Sequence, residues 1–128
     1  MRQFVIHDLI RKVEKNREEL TLLGDGRQVR DYLYVDDAVR GLIAIAEIGE
    51  PGEDYNLGSG EPTAIMDLAR RIATLMGCPD IRILPSGRSW AGDISRWYAD
   101  PRKIKSLGFT PHVDLNSGLQ KTIEWLLG

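Results

Sequence analysis

Leu22-Leu23-Gly24-Asp25-Gly26-Arg27-Gln28-Val29-Arg30-Asp31-Tyr32-Leu33-Tyr34-Val35-Asp36-Asp37 is the stretch that decides how this chain reads. The apolar run Leu20, Leu22 and Leu23 meets Gly24-Asp25-Gly26. Asp-Gly between two strand-like runs signals a hairpin, because glycine accepts positive φ. Residues 28–35 then alternate, with Val29, Asp31, Leu33 and Val35 on one side and Arg30, Tyr32 and Tyr34 on the other. A strand of that length puts Arg30 and Tyr32 on one face, since side chains repeat every second residue. Asp36 or Asp37 is placed to cap a helix through Ala38, Val39, Leu42, Ile43 and Ala46.

Outward from this stretch the pattern keeps alternating. Residues 4–15 carry Val5, Leu9 and Val13 beside Ile6 and Ile10, the three-to-four spacing of an amphipathic helix. After Pro51-Gly52, residues 54–57 predict a short strand. Gly58-Ser59-Gly60-Glu61-Pro62 leads to Thr63, a candidate cap for a helix over 64–76 with Ile65, Leu68, Ile72 and Leu75 as its core stripe; Gly77 ends it. Residues 81–84 predict another strand, 85–93 are irregular, and 94–99 are extended. Asp100-Pro101 opens a short helix that stops at Gly108, and Asp114 opens a last helix with Leu115, Leu119, Ile123 and Leu126 on one face. The expected class is α/β (mixed α+β), one domain over 1–128 with short strands and about four to five helices.

Composition narrows the function. With 128 residues the chain suffices for one domain. Its 17 basic and 19 acidic side chains give a net charge of -2, which argues against a sequence-independent nucleic-acid binder. No stretch approaches the ~18 apolar residues that cross a bilayer, and 1–9 lack a signal-peptide core, so a cytoplasmic protein is expected. The one cysteine, Cys78, reads as a small filler after a helix.

Several chemistries lack their residues. Gly58-Ser59-Gly60 has a strand-loop-helix setting but no third glycine for a dinucleotide turn, and Pro62 removes a donor. No tyrosine has a lysine four residues on. Metal-ligand spacings and a Gly-x-Ser-x-Gly turn are absent. His7 and His112 read as surface or capping residues. Neither a catalytic nor a metal site is expected on this chain. Two anion-binding candidates remain. Arg30 and Tyr32 together offer a guanidinium fork and a phenol that suit a diphosphate; a half-exposed face with Arg30 paired to Asp31 or Asp36 fits the same spacing. The loop Gly87-Arg88-Ser89-Trp90-Ala91-Gly92-Asp93 offers a cation, a stacking ring and a carboxylate acceptor; a plain connector fits it equally.

Taken together, four segments resemble one family. The stretch 22–37 resembles the G-D-G-x-x-x-R-D-aromatic segment of extended short-chain dehydrogenases/reductases, the NAD-dependent epimerases and dehydratases of nucleotide-diphosphate sugars, of the UDP-glucose 4-epimerase kind. Tyr55-Asn56-Leu57-Gly58-Ser59-Gly60 is similar to their YN[IL]G[ST]G. Gly92-Asp93, Tyr98-Ala99-Asp100, Lys103 and Leu107-Gly108-Phe109 with Pro111 resemble a third segment, and Gly118-Leu119 with Thr122-Ile123-Glu124-Trp125 a fourth. The resemblance implies the C-terminal substrate-binding lobe without its Rossmann cofactor domain. It implies a UDP-, dTDP- or GDP-linked sugar as ligand, Arg30 and Tyr32 at the diphosphate, and Asp93 at ribose or sugar hydroxyls. Trp90 stands where many members carry an arginine, so Arg88 is the expected substitute. NAD belongs to the parent enzyme, not to this chain, which is expected to be inactive alone. A homo-oligomer burying orphan apolar surface is expected. A stand-alone binding module and an inactive truncated fragment are the alternatives.

Overall fold

Residues 4–89 and 91–128 are described by the computed structural model. Each amphipathic stripe lands on one shared core. Helix α1 (Val5–Lys15) buries Leu9, Ile10 and Val13, α3 (Ile65–Leu75) buries Ile65, Leu68, Ala69, Ile72 and Ala73, and α5 (Leu115–Leu127) buries Gly118, Leu119 and Ile123. Strand β1 (Glu19–Leu22) alternates as period two demands, with Leu20 and Leu22 fully inside and Thr21 exposed. Cys78 joins the same cluster as a buried free thiol. The mixed α/β class, with five helices and short strands among the described residues, is as expected.

The pairing of the strands differs from the hairpin expected at Gly24–Gly26. β1 pairs in parallel with β4 (Arg82–Pro85), Leu20 opposite Ile83. Parallel strands need a crossover, and the whole segment between them supplies it, with α3 packed against β4 and α1 against β1. The strand expected over 28–35 shrinks to β2 (Val29–Arg30). It lies at the centre of a second small sheet, antiparallel to β3 (Thr63–Ala64) and parallel to β5 (Arg96–Trp97). Thr63 therefore sits in a strand rather than capping α3. Residues 54–57 form no strand, because no partner lies beside them among the described residues.

Helix ends follow local chemistry where a side chain reaches the backbone. Asp114 accepts from Ser117 N at 2.7 Å and starts α5. At the end of α3, Cys78 N bonds Ala73 O and Gly77 N bonds Thr74 O, the paired C-terminal closure expected at Gly77. Asp100 accepts from Arg102 N at 3.1 Å and leads into α4 (Arg102–Lys105).

The start of α2 (Val35–Ile48) is a correction. Neither Asp36 nor Asp37 caps it; Tyr34 holds that position and both aspartates lie in the first turn. Asp37 is instead 1% exposed. It accepts from His112 N at 3.0 Å, Val113 N at 2.8 Å and Arg40 Nη1 at 2.5 Å. Burial pushes its carboxyl up, but these donors outweigh burial and hold it below the usual range. The clamp fastens α2 to the segment before α5, where Arg40 also lies over the Phe109 ring at 5.3 Å.

The other side of α2 is bare. Val35, Val39, Leu42, Ile43 and Ile48 are each about half exposed or more, and α2 makes no extensive packing with another helix or strand. A soluble surface usually avoids such a stripe. No helix among the described residues is long and apolar enough to cross a membrane.

Asp37→Ala should destabilise the fold by about 3 kcal/mol at neutral pH, since it orphans two backbone donors and a guanidinium. The folded carboxyl titrates below its unfolded value of roughly 3.9. Its contribution is therefore complete above that value and lost as pH falls through the folded one. Urea unfolding at pH 7 and pH 3 should show a large wild-type advantage at pH 7 that shrinks at pH 3. A constant advantage would refute the clamp's titration.

Candidate functional site

The site grows from the four residues around β2. Asp31 follows the strand, and its carboxylate accepts from Ser59 N at 2.9 Å, Ser59 Oγ at 2.6 Å, Gly60 N at 2.9 Å and Ala99 N at 3.2 Å. A two-residue strand has few ladder bonds of its own, so this carboxylate replaces them in joining β2 to its neighbours. Gly58 lets the carboxylate in: a Cβ there would lie 2.7 Å from Asp31 Oδ2 and 2.6 Å from Ala99 Cβ.

That arrangement decides a chemical question. A dinucleotide pyrophosphate is held by free backbone N–H groups in a glycine-bearing turn. In Gly58-Ser59-Gly60 the N–H groups of Ser59 and Gly60 already donate to Asp31. An anionic side chain fills the cradle, and the loop does not fit a dinucleotide.

Arg30 points away from that loop toward the 86–95 connection. Its Nη2 meets Asp93 Oδ1 at 2.8 Å, while Nη1 donates to Val29 O at 2.8 Å and Ile94 O at 2.6 Å. The pair is shielded, with Arg30 25% and Asp93 11% exposed, so its charges are screened less than those of surface pairs. The sequence alternatives for Arg30, a pairing with Asp31 or Asp36, are not realised. Its partner is Asp93, 63 positions away.

Arg30 stands between two cavities. One, of about 260 Å³, is lined by Val5, Leu9, Leu22, Leu23 and Ile65 on its apolar side and by Asp8, Lys12, Gln28, Arg30 and Asp93 on its polar side. The other, of about 420 Å³, lies among Arg30, Asn56, Leu57, Trp97, Tyr98 and Asp100. An apolar wall beside convergent charged groups suits an amphipathic ligand with a flat ring and an anion. Lys12 was not singled out from the sequence. It reaches the first cavity from α1, paired with Asp8 at 2.8 Å and donating to Thr21 O at 3.2 Å. Its (i, i+4) partner was legible, but its neighbourhood to Arg30 was not.

Tyr32 is not brought beside the Arg30 cavities. The ladder ends at Arg30, so the alternation that put both on one face no longer applies. Tyr32 packs against the core and lines separate cavities with Val113, Asp114 and Leu115. Its hydroxyl is buried without a partner, and burial raises its pKa to about 12 against the pull of Arg30. Arg88 is exposed and lines neither Arg30 cavity. Its carbonyl accepts from Gly24 N at 2.8 Å, which ties its loop to the 24–26 turn. Trp90 lies outside the described residues. His7 and His112 are both exposed.

Known proteins share this chain's sequence and fold. Residues 2–58 match the NAD dependent epimerase/dehydratase family. The dTDP-glucose 4,6-dehydratase 1 of Escherichia coli (strain K12) is 33% identical over 119 residues, covering 84% of this chain and 32% of the relative. A putative UDP-glucose 4-epimerase of Methanocaldococcus jannaschii is 31% identical, covering 95% of this chain and 38% of its own length. Among solved structures, the UDP-glucose 4-epimerase of Thermotoga maritima with UDP-glucose superposes with a TM-score of 0.86. It is 32% identical and covers 97% of this chain and 39% of that one. The chain thus spans between 32% and 39% of the length of these relatives.

Tyr32→Phe removes an unpaired buried hydroxyl and should leave stability unchanged or raise it by up to about 1 kcal/mol. Thermal unfolding of the two proteins reads this directly. A clear loss of stability would show that the hydroxyl has a partner in solution.

Proposed function

We propose, from this chain's membership of the NAD-dependent epimerase/dehydratase family, that 1–128 is a substrate-binding lobe. Its ligand is a nucleotide-diphosphate sugar, UDP-, dTDP- or GDP-linked. The observation that carries the reading is the position of Arg30 between an apolar-walled cavity and an open cleft.

In this reading the base lies against Leu22, Leu23 and Leu9, the diphosphate meets Arg30, and the sugar extends into the cleft beside Trp97 and Tyr98. Arg30 has donors to give, because Nη1 is committed to two carbonyls while Nη2 makes a single bond to Asp93. A guanidinium with spare hydrogens binds phosphate oxygens strongly in a shielded site. Asp93 accepts from a ribose or sugar hydroxyl. Arg88, on the tethered 86–95 loop, and Trp90 are assigned to the same ligand, as second cation and stacking ring. Tyr32 supports β2 from behind and shapes the site without touching the ligand.

The lobe binds and orients; it has no catalytic group of its own. When bound to the remainder of a relative-length protein, NAD supplies oxidation and return of hydride at the sugar. The Gly58–Gly60 loop supplies no cradle for it, as Asp31 occupies the donors. Two or three charged contacts of roughly 1.5–3 kcal/mol each, without an opposing domain, give weak binding.

The bare stripe of α2 needs a cover. In a relative-length protein the remaining chain covers it; in the isolated chain a second copy does, giving a homo-oligomer.

Calorimetric titration with UDP, dTDP and GDP should show saturable binding by at least one, lost in Arg30→Ala. Failure of all three to bind the wild type would sink the assignment of a self-sufficient site. Sedimentation velocity of the same chain should show self-association that Leu42→Glu reduces to monomer; a monomeric wild type would remove the homo-oligomer.

A further inference from the structure

We propose that Gln28 is a positioning residue that keeps Asp93 from closing both its oxygens onto Arg30, and so preserves free guanidinium hydrogens for a diphosphate. The inference rests on the diphosphate reading of this site and adds to it the residue that sets its charge balance.

Gln28 precedes β2 and its carboxamide folds back over the 24–26 turn. Nε2 donates to Leu23 O at 3.2 Å and to Asp93 Oδ2 at 3.3 Å. Two acceptors on one nitrogen define which end of the amide is which. The amide fills the space that a Cβ on Gly24 would take, 2.0 Å from Nε2, and the φ of +79° at Gly24 favours glycine there. Its Oε1 is buried without a partner, a cost that this placement carries and that an apolar side chain of equal size would not.

The consequence lies at Asp93. An arginine and a carboxylate in contact ordinarily pair fork to fork, with two parallel bonds. Here the carboxylate is split: Oδ1 goes to Arg30 Nη2 at 2.8 Å and Oδ2 to Gln28 Nε2 at 3.3 Å. A neutral amide thus holds half of the carboxylate, and Arg30 keeps free its Nε hydrogen, the one a fork-to-fork pair would consume because both Nη1 hydrogens already go to carbonyls. With both carboxylate oxygens on it, Arg30 would keep one hydrogen for an anion, the second on Nη2. A half-paired Arg30 keeps two, on Nη2 and Nε.

Gln28→Met keeps the volume over Gly24 and removes the amide. A crystal structure of this variant of the full 128-residue chain should show Asp93 paired through both oxygens to Arg30. Titration with inorganic pyrophosphate, which has no hydroxyl for Asp93 to meet, should show binding weakened about tenfold in Gln28→Met. Gln28→Met/Asp93→Asn should restore it to the wild-type level or better, because the competing charge is gone. A role confined to packing the turn would not be rescued that way. Asp93 remaining on Oδ1 alone in the variant, or unrescued loss in the double variant, would overturn the role of Gln28 while leaving the site intact. Wild type that binds neither pyrophosphate nor UDP, with Arg30→Ala no different, would overturn the diphosphate reading and this inference with it.

Discussion

The carboxylate of Asp31 is the interaction on which the surroundings of the candidate site depend. β2 is two residues long, too short to be held by its ladder, and the loops at 58–60 and 99 have no regular structure to order them. One half-buried acceptor satisfies donors from both, which does for three chain segments what a longer sheet would do with backbone bonds. The same contact closes the Gly58–Gly60 loop to a phosphate. A residue that orders the surroundings of Arg30 thereby also occupies the donors of the 58–60 loop.

Around this knot the side chains of β2 and its flanks divide the work by direction. Asp31 faces the loop at 58–60, Arg30 faces Asp93, and Gln28 reaches the same carboxylate from the turn side. Each is a contact between segments roughly 30 to 70 positions apart, so the local charge pattern of the sequence is balanced only after folding. Shielding by the apolar wall of Leu22, Leu23 and Ile65 makes the Arg30–Asp93 pair matter more than the exposed pairs, such as Arg102–Asp100.

The second support is the Asp37 clamp, and it explains an otherwise puzzling asymmetry. α2 is held to the rest of the chain mainly by polar bonds at its first turn, together with close contact of Gly41 against Leu57 and Phe109. Its apolar stripe is turned away from the core. A helix stabilised by tertiary packing normally buries that stripe. The relatives are about two and a half times as long as this chain.

The sequence by itself determined the helices, because their three-to-four apolar spacing is local. Val5 to Val13, Ile65 to Leu75 and Asp114 to Ile123 are all where the pattern puts them. It also determined which residues are fit for anion chemistry, since a guanidinium and a carboxylate are such wherever they stand. Only the tertiary structure decided strand pairing, because Leu20 and Leu22 are as suited to a hairpin partner as to the parallel β4. The crossover, not the Asp-Gly turn, set the partner. It likewise decided that Asp37 is a buried clamp rather than a cap, that Arg30 meets Asp93, and that Tyr32 turns to the core. Those outcomes depend on segments far apart in the chain, whose meeting no local period encodes.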